Sequence, residues 1–255
     1  MNPDTPREAR RLFLKVKRAA SRLRRTSVVI CPPAVFLPLL RPGRNLALGA
    51  QDIFTELRGV YTGSISAAQI KYAGADYVIL GHSERRQLGE TDELINRKVR
   101  LALKTGLKVI LCVGETTRDD RGDYLPILRG MLELDLERVT RAAVRNLIIT
   151  YEPVWAIGGA ASSADTPESF LENSLFIRKV LAARFGQNLA MLVPVLYGGS
   201  VTPDNAAAFL TSGEASGLLV GHESLRADHF NSILRFADAS HHDSRLANNR
   251  SIVKK

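Results

Sequence analysis

The sequence predicts an α/β protein built on a parallel sheet. Seven short apolar runs alternate with longer helical patterns, several of the runs are continuously apolar rather than alternating, and no compositional linker interrupts the series. Strand–helix units repeated without a break form either a doubly wound sheet or a (β/α)8-type barrel. Seven strands is one short of a closed barrel. At 255 residues the chain suffices for one large domain or two small ones, and α/β barrels of about 200–250 residues are routinely a single domain.

The chain opens on a helix. In "REARRLFLKVKRAASRLRR", Leu12, Phe13, Val16, Ala20 and Leu23 recur at helical spacing with Arg and Lys between them. A strand missing from the barrel would therefore lie at the N-terminus. The strand candidates follow in order: "SVVIC" (27–31), "LALGAQ" (46–51), "YVILG" (77–81), "KVILCVG" (108–114), "NLIITYE" (146–152), "PVLYG" (194–198) and "GLLVG" (217–221). Between the third and fourth, "DELINRKVRLALKTG" places Leu94, Ile95, Val99, Leu101, Ala102 and Leu103 on an apolar side and stops at Gly106. After the fifth, "TPESFLENSLFIRKVLAARFG" starts with Thr166 as cap and Pro167 in the first turn, and ends at Gly186. Residues 1–239 are thus expected to form one barrel domain. Residues 240–255 read as a polar, disordered tail in which His241 and His242 are solvated rather than metal-bound.

Composition narrows the function classes. Hydrophobic residues make up 45% and charged residues 24%, an ordinary globular balance. No run approaches the roughly 20 apolar residues of a membrane span, and the polar "MNPDTPREARRLF" is not a signal peptide. Two cysteines cannot build a disulfide framework. Cys31 and Cys112 lie in apolar runs and read as buried thiols in a reducing cytoplasm. The net charge of +9 raises the question of a nucleic-acid partner. Much of the excess sits on the solvent face of the first helix, with no aromatic residues interleaved to stack on bases. A basic balance equally suits a small anionic substrate, because it steers anions to the protein.

The chemistry-bearing residues sit where strands end. His82 follows "YVIL", Glu152 follows "LIITY", "YGGS" (197–200) follows "PVL", and "GHES" (221–224) follows "LLV". In a barrel all these ends open on one face, where such barrels keep their sites. Singly they are weak signals: a solvated charge cluster, a surface carboxylate before Pro153, a tight turn.

In their order, the segments "CPPAVFL", "GAQDI", "YTGSIS", "YVILGHSERR", "GETDELINRKV", "ILCVGET", "ITYEPVWAIG", "YGGSV" and "LLVGHESL" resemble the triosephosphate isomerase family from about residue 2 to residue 236. The resemblance implies a TIM barrel, here with seven strands. It implies that Glu152 is the base that removes a proton next to the substrate carbonyl, and that His82 is a neutral electrophile kept uncharged by a following helix start. Ser83 and Glu84 become supports for these two, while Arg85 and Arg86 hold carboxylates at the rim. Gly158, Ser200, Gly221 and His222 match phosphate-contacting positions, and Pro153, Val154 and Trp155 match the first hinge of a lid. The family further implies a phosphorylated triose substrate, no cofactor and no metal, a cytoplasmic location, and a homodimer in which "YTGSIS" reaches the neighbouring site with Thr62 at its tip.

Three departures qualify this reading. The family opens with a strand ending Asn-Trp-Lys-Met-Asn, and Met1-Asn2 matches only its last two residues. A start at an internal Met of a longer protein is favoured over a genuine seven-strand variant, because an open edge would expose unpaired backbone and apolar side chains. Without that lysine, turnover is expected to be impaired, the homodimer weakened, and Glu84 left as an unpaired, part-buried carboxylate drifting toward its protonated form. The lid is longer than the family's, which ends Lys-Thr-Ala, and Ala161, Ser162 and Ser163 alter its second hinge. His222 stands where the family commonly has glycine. The leading reading is an isomerase of impaired activity, and the alternative is a catalytically poor barrel that binds phosphate esters.

Overall fold

A computed structural model of the chain describes residues 2–119, 121–157 and 165–240. Helix α1 (Pro6–Ala20) starts at Thr5, whose hydroxyl accepts the Glu8 N–H, with proline in the first turn. Ala9, Phe13, Val16 and Ala20 are buried, so the basic residues between them face outward. Leu23 is buried beyond the helix end.

The strand–helix series then runs β1 (Val28–Ile30), β2 (Leu46–Ala50), α2 (Ala67–Tyr72), β3 (Tyr77–Leu80), α3 (Ser83–Gln87), α4 (Asp92–Lys104), β4 (Lys108–Val113) and α5 (Tyr124–Asp135). It continues with β5 (Leu147–Tyr151), α6 (Pro167–Phe185), α7 (Gln187–Ala190), β6 (Val195–Tyr197), α8 (Ala206–Thr211), β7 (Gly217–Leu218) and α9 (Ala227–Ser240). All seven strand runs read from the sequence are strands, each trimmed by one to three residues.

Among the described residues the sheet has seven strands, all parallel, in the order β1 to β7, and it curls into an incomplete barrel. Every strand pairs with its sequence neighbour, so every crossover advances in the same direction. A doubly wound sheet instead reverses its strand order at a switch point, and that alternative is excluded. Burial follows the pairing. In β4 only Lys108 is not fully buried, and in β5 only Ile148. The two edge strands are half-exposed over most of their length: Val29 and Ile30 in β1, Gly217 and Leu218 in β7. The open edge between β1 and β7 is where an eighth strand would fit.

Helix α4 buries Ile95, Val99 and Ala102 as its periodicity predicts, but it also buries Asn96 and Lys98. Lys98 is 4% exposed. Its Nζ donates to both oxygens of Asp52, at 2.7 and 2.8 Å, and to Glu90. Arg85 reaches the same two carboxylates. This buried network pins the segment after β2 to the α3–α4 connection. Each charge has partners, which is the condition under which burying it does not unfold the site. Arg86 bridges Asp92 and the buried Asp135 and donates to the Gly81 carbonyl. Both arginines hold carboxylates, as the resemblance implies. Around β6, Phe170 packs edge-on to Tyr197 and Phe209, which stack on each other with centroids 3.6 Å apart, so α6 and α8 close over the strand.

Cys112 is buried, but Cys31 is only half-buried, a correction to the expectation of two buried cysteines. Cys31 belongs to the half-exposed edge, although its sulfur packs against Gly49 and burial pushes the thiol up to about 12. Helix α9 runs through Ser240, one residue past the expected boundary. The tail, with His241 and His242, lies outside the described residues.

One carboxylate ties the two ends of the chain together. Asp238 in α9 accepts the backbone N–H groups of Arg24, Arg25 and Thr26, at 2.7 to 3.1 Å. Partial burial works against its charge, but the three N–H donors hold the carboxyl below the ordinary aspartate range. A depressed carboxyl contributes stability above its unfolded value, and that contribution is lost as pH falls through the folded value. Asp238→Asn is therefore expected to cost about 1–2 kcal/mol near neutral pH, the scale of charge-assisted hydrogen bonds at a partly exposed site. The gap between parent and variant in urea unfolding should shrink below about pH 4. A pH-independent gap would show that the charge is not what matters.

Candidate active site

The candidate site is built at the C-terminal ends of β3 and β5. β3 stops at Gly81, whose φ of +72° turns the chain sharply. A Cβ there would come within 2.8 Å of the Cys112 carbonyl, so only glycine fits. The turn delivers His82 to the N-cap of α3, where its Nδ1 accepts the Glu84 N–H at 3.3 Å. That bond fixes the tautomer: Nδ1 carries no proton, so the proton of the neutral ring is on Nε2. At the end of β5, Glu152 is 3% exposed. Gly114 lets this strand end come close, because a Cβ on it would lie 1.9 Å from the Glu152 carbonyl oxygen.

Three groups converge on the Glu152 carboxylate. The Ser83 N–H donates to Oε2 at 2.9 Å and the Ser83 hydroxyl to Oε1 at 3.0 Å. His82 Nε2 lies 3.0 Å from Oε1. The structure thus brings His82, Ser83 and Glu152 into one contact, as the strand-end placement predicts. Burial pushes the imidazole down, but the hydrogen bond with Glu152, the Glu152 charge and the Glu84 charge together lift it above the ordinary histidine range. The helix-start N–H favours the neutral ring, while the docked carboxylate favours the charged one. The Glu84 side chain is 70% exposed, with its carboxylate 4.0 Å from His82 Nδ1. The expected burial is absent, and with it the stated reason for protonation. Glu84 supports His82 through its backbone.

A second carboxylate holds residues on either side of Glu152. Glu115, two residues past the end of β4, is buried. Its Oε1 accepts the Tyr151 hydroxyl at 2.7 Å and the Trp155 indole N–H at 2.8 Å. The sequence reading assigned Glu115 no role. The signal was there, a carboxylate directly after a continuous apolar strand.

The phosphate-side candidates lie at the ends of the adjacent strands β6 and β7. Ser200 is exposed; its hydroxyl donates to the Ala156 carbonyl at 2.9 Å, and its own carbonyl accepts the Asn205 amide. Gly221 is exposed with open space beside it, and exposed His222 heads the short helical turn His222–Leu225. Gly158, Ala161, Ser162 and Ser163 lie outside the described residues. Thr62 is exposed on its loop beside Val60, which is 100% exposed, and Tyr61 and Ile65. A groove of about 710 Å³ between α4 and residues 138–146 contains none of these groups. Among the described residues no His, Cys, Asp and Glu cluster could hold a metal ion, and no helix is long and apolar enough to cross a membrane.

Comparison with known proteins shows which family the chain is similar to. Residues 1–237 match the family model for triosephosphate isomerase. The triosephosphate isomerase of Citrifermentans bemidjiense is 40% identical over 240 residues, covering 92% of this chain and 94% of the relative. That of Herpetosiphon aurantiacus is 44% identical over 214 residues, 82% of this chain and 85% of the relative. That of Roseiflexus sp. is 40% identical over 237 residues, 91% and 92%. With parallel strands wound in one direction, a histidine and a carboxylate meeting at their C-terminal ends, and this extent of identity, the chain belongs to the triosephosphate isomerase family.

Proposed function

We propose that the chain interconverts dihydroxyacetone phosphate and D-glyceraldehyde 3-phosphate. The carrying observation is the Glu152–Ser83–His82 contact. Glu152 takes a proton from the carbon beside the carbonyl. The C–H electron pair becomes the new C=C bond, and the carbonyl pair moves onto oxygen as an enediolate. His82 Nε2–H gives its proton to that oxygen, and Nε2 recovers one from the hydroxyl of the neighbouring carbon. Glu152 returns its proton to the former carbonyl carbon, the C=C pair forming that C–H bond while the deprotonated hydroxyl oxygen forms the new C=O. No net oxidation occurs, so the reaction requires no redox cofactor, and the proton moves between side chain and carbon without a metal.

Ser83 and His82 occupy both oxygens of Glu152 in the resting arrangement. Swinging the carboxylate away frees the base and the His82 N–H together. It also removes the contacts that lift the ring, leaving the backbone N–H of Glu84 to favour the neutral imidazole. The phosphate is held by the backbone around Ser200, Gly221 and His222, where Gly221 allows close approach. Among the described residues, the hydrogen bonds and ion pairs of Glu152 and His82 involve no lysine or arginine. A homodimer is supported by exposed Val60, Tyr61 and Ile65 around Thr62, and a cytoplasmic setting by two unpaired cysteines.

The test is exchange. With dihydroxyacetone phosphate in D2O, the protein should place deuterium on the hydroxymethyl carbon next to the carbonyl and yield glyceraldehyde 3-phosphate. Exchange no faster than in the protein-free control would reject the reading.

A further inference from the structure

One side chain outside the proposed chemistry holds together the turn after β5 and the start of α6. Arg118 lies in the loop after β4. Its guanidinium carbon is 4.9 Å from the ring centre of Tyr124 and 5.6 Å from that of Trp155. Its Nη1 donates to the Ser169 hydroxyl oxygen at 2.6 Å. That hydroxyl in turn donates to Asp165 Oδ1 at 2.6 Å. The polarity of the relay is consistent: arginine donates, serine accepts and passes on its one proton, aspartate accepts.

The contacts immobilise Trp155 from two directions. Arg118 covers its face, and Glu115 takes its N–H. Trp155 is three residues after Glu152, and the link between them is stiff. Pro153 is conformationally fixed, and the Val154 N–H is held by the Glu115 carbonyl at 3.1 Å. A displacement of Trp155 is therefore transmitted to the strand end that carries the base. On the other side, Asp165 has a buried second oxygen with no hydrogen-bond partner among the described residues. A buried carboxylate oxygen left so is costly unless a nearby cation offsets it, and Arg118 is that cation. A planar fork that stacks between rings while donating at its edge is an arginine geometry that lysine cannot reproduce.

We infer that Arg118 is a positioning residue. It fixes Trp155 and Asp165 relative to each other, and through Trp155 it sets where Glu152 stands. The inference rests on the isomerase reading for its kinetic consequence, but not for its structural one.

Trp155 is the chain's single tryptophan, so all tryptophan emission comes from this residue. Arg118→Met keeps the apolar stem and removes the charge and the fork. It is expected to shift Trp155 emission, to raise acrylamide quenching, and to lower kcat by about 10-fold per folded molecule. KM should stay within about twofold. This is less than the roughly 100-fold that a full 1 Å misplacement costs. Asp165→Ala, which removes the end of the relay, should move both readouts in the same direction. The folded fraction is measured by far-ultraviolet circular dichroism. A lowered thermal midpoint with unchanged kcat per folded molecule would make Arg118 merely structural and overturn the inference, as would unaltered emission and quenching in Arg118→Met. Should the parent show no isomerase turnover, the functional reading fails. The emission and quenching of Arg118→Met then still decide whether Arg118 positions Trp155.

Discussion

Glu152→Gln is expected to lower kcat by about 10²–10⁴-fold, the typical contribution of a general base, with the fold intact. The amide has the same shape but does not take up a proton at this pH. Its carbonyl oxygen can still accept the Ser83 N–H that now reaches Oε2 at 2.9 Å. The Ser83 hydroxyl, which now donates to Oε1, can rotate and accept from the amide instead. His82 Nε2–H, now 3.0 Å from Oε1, then faces the amide NH2 instead of an acceptor, so the stability cost should be about 1–3 kcal/mol, that of leaving one donor unpaired. The substitution also removes the partner that lifts His82. Burial and the Glu84 N–H then act with less opposition, so the ring should titrate lower in the variant than in the parent. Proton NMR of the His82 ring across pH 5–8 checks the direction. Activity within about twofold of the parent would remove Glu152 from the role of base.

These consequences differ in how far the residues announced them. The strands were legible because parallel strands covered on both faces must be apolar throughout, and "KVILCV" cannot sit half in water. The meeting of His82 with Glu152 was legible through topology, since strand ends on one face of a barrel must converge. Lys98 was not legible. Its neighbours in α4 alternate apolar and charged, and a buried lysine becomes visible only when Asp52 and Glu90, from two other segments, arrive around it. Arg118 was hidden for the same reason: its partners Tyr124, Trp155 and Ser169 come from three places in the chain. The His82 expectation considered only the local helix start and missed a through-space carboxylate. Glu84 was expected to be an unpaired, part-buried carboxylate, yet its side chain is 70% exposed. Local sequence therefore conveyed backbone periodicity and strand ends well, and long-range charge pairing poorly.

The second large effect is expected from filling the open edge. Among the described residues β1 and β7 each leave one side unpaired, and Val29, Ile30, Gly217 and Leu218 are half-exposed there. Unpaired strand edges recruit other chains. A first strand supplied as an N-terminal extension should raise the thermal midpoint and reduce association measured by light scattering. Ending that extension in Asn-Trp-Lys directly before Met1 adds a further element, the lysine that the family resemblance implies beside the site. Charge develops on the substrate oxygen when the enediolate forms, and a preorganised cation in a water-poor cavity is worth far more there than in bulk solvent. The Lys extension is expected to raise kcat/KM by about 10²-fold, the scale of one preorganised electrostatic contact. The same extension with Met in place of Lys separates the two contributions, since it pairs the edge without the charge. Equal activity of the two extended forms would assign the gain to the strand alone. An unextended chain already turning over at the rate of the Lys form would show that another residue supplies the charge. The first place to look would then be the basic residues near Trp155, because Arg118 is the guanidinium packed against the turn that carries the base.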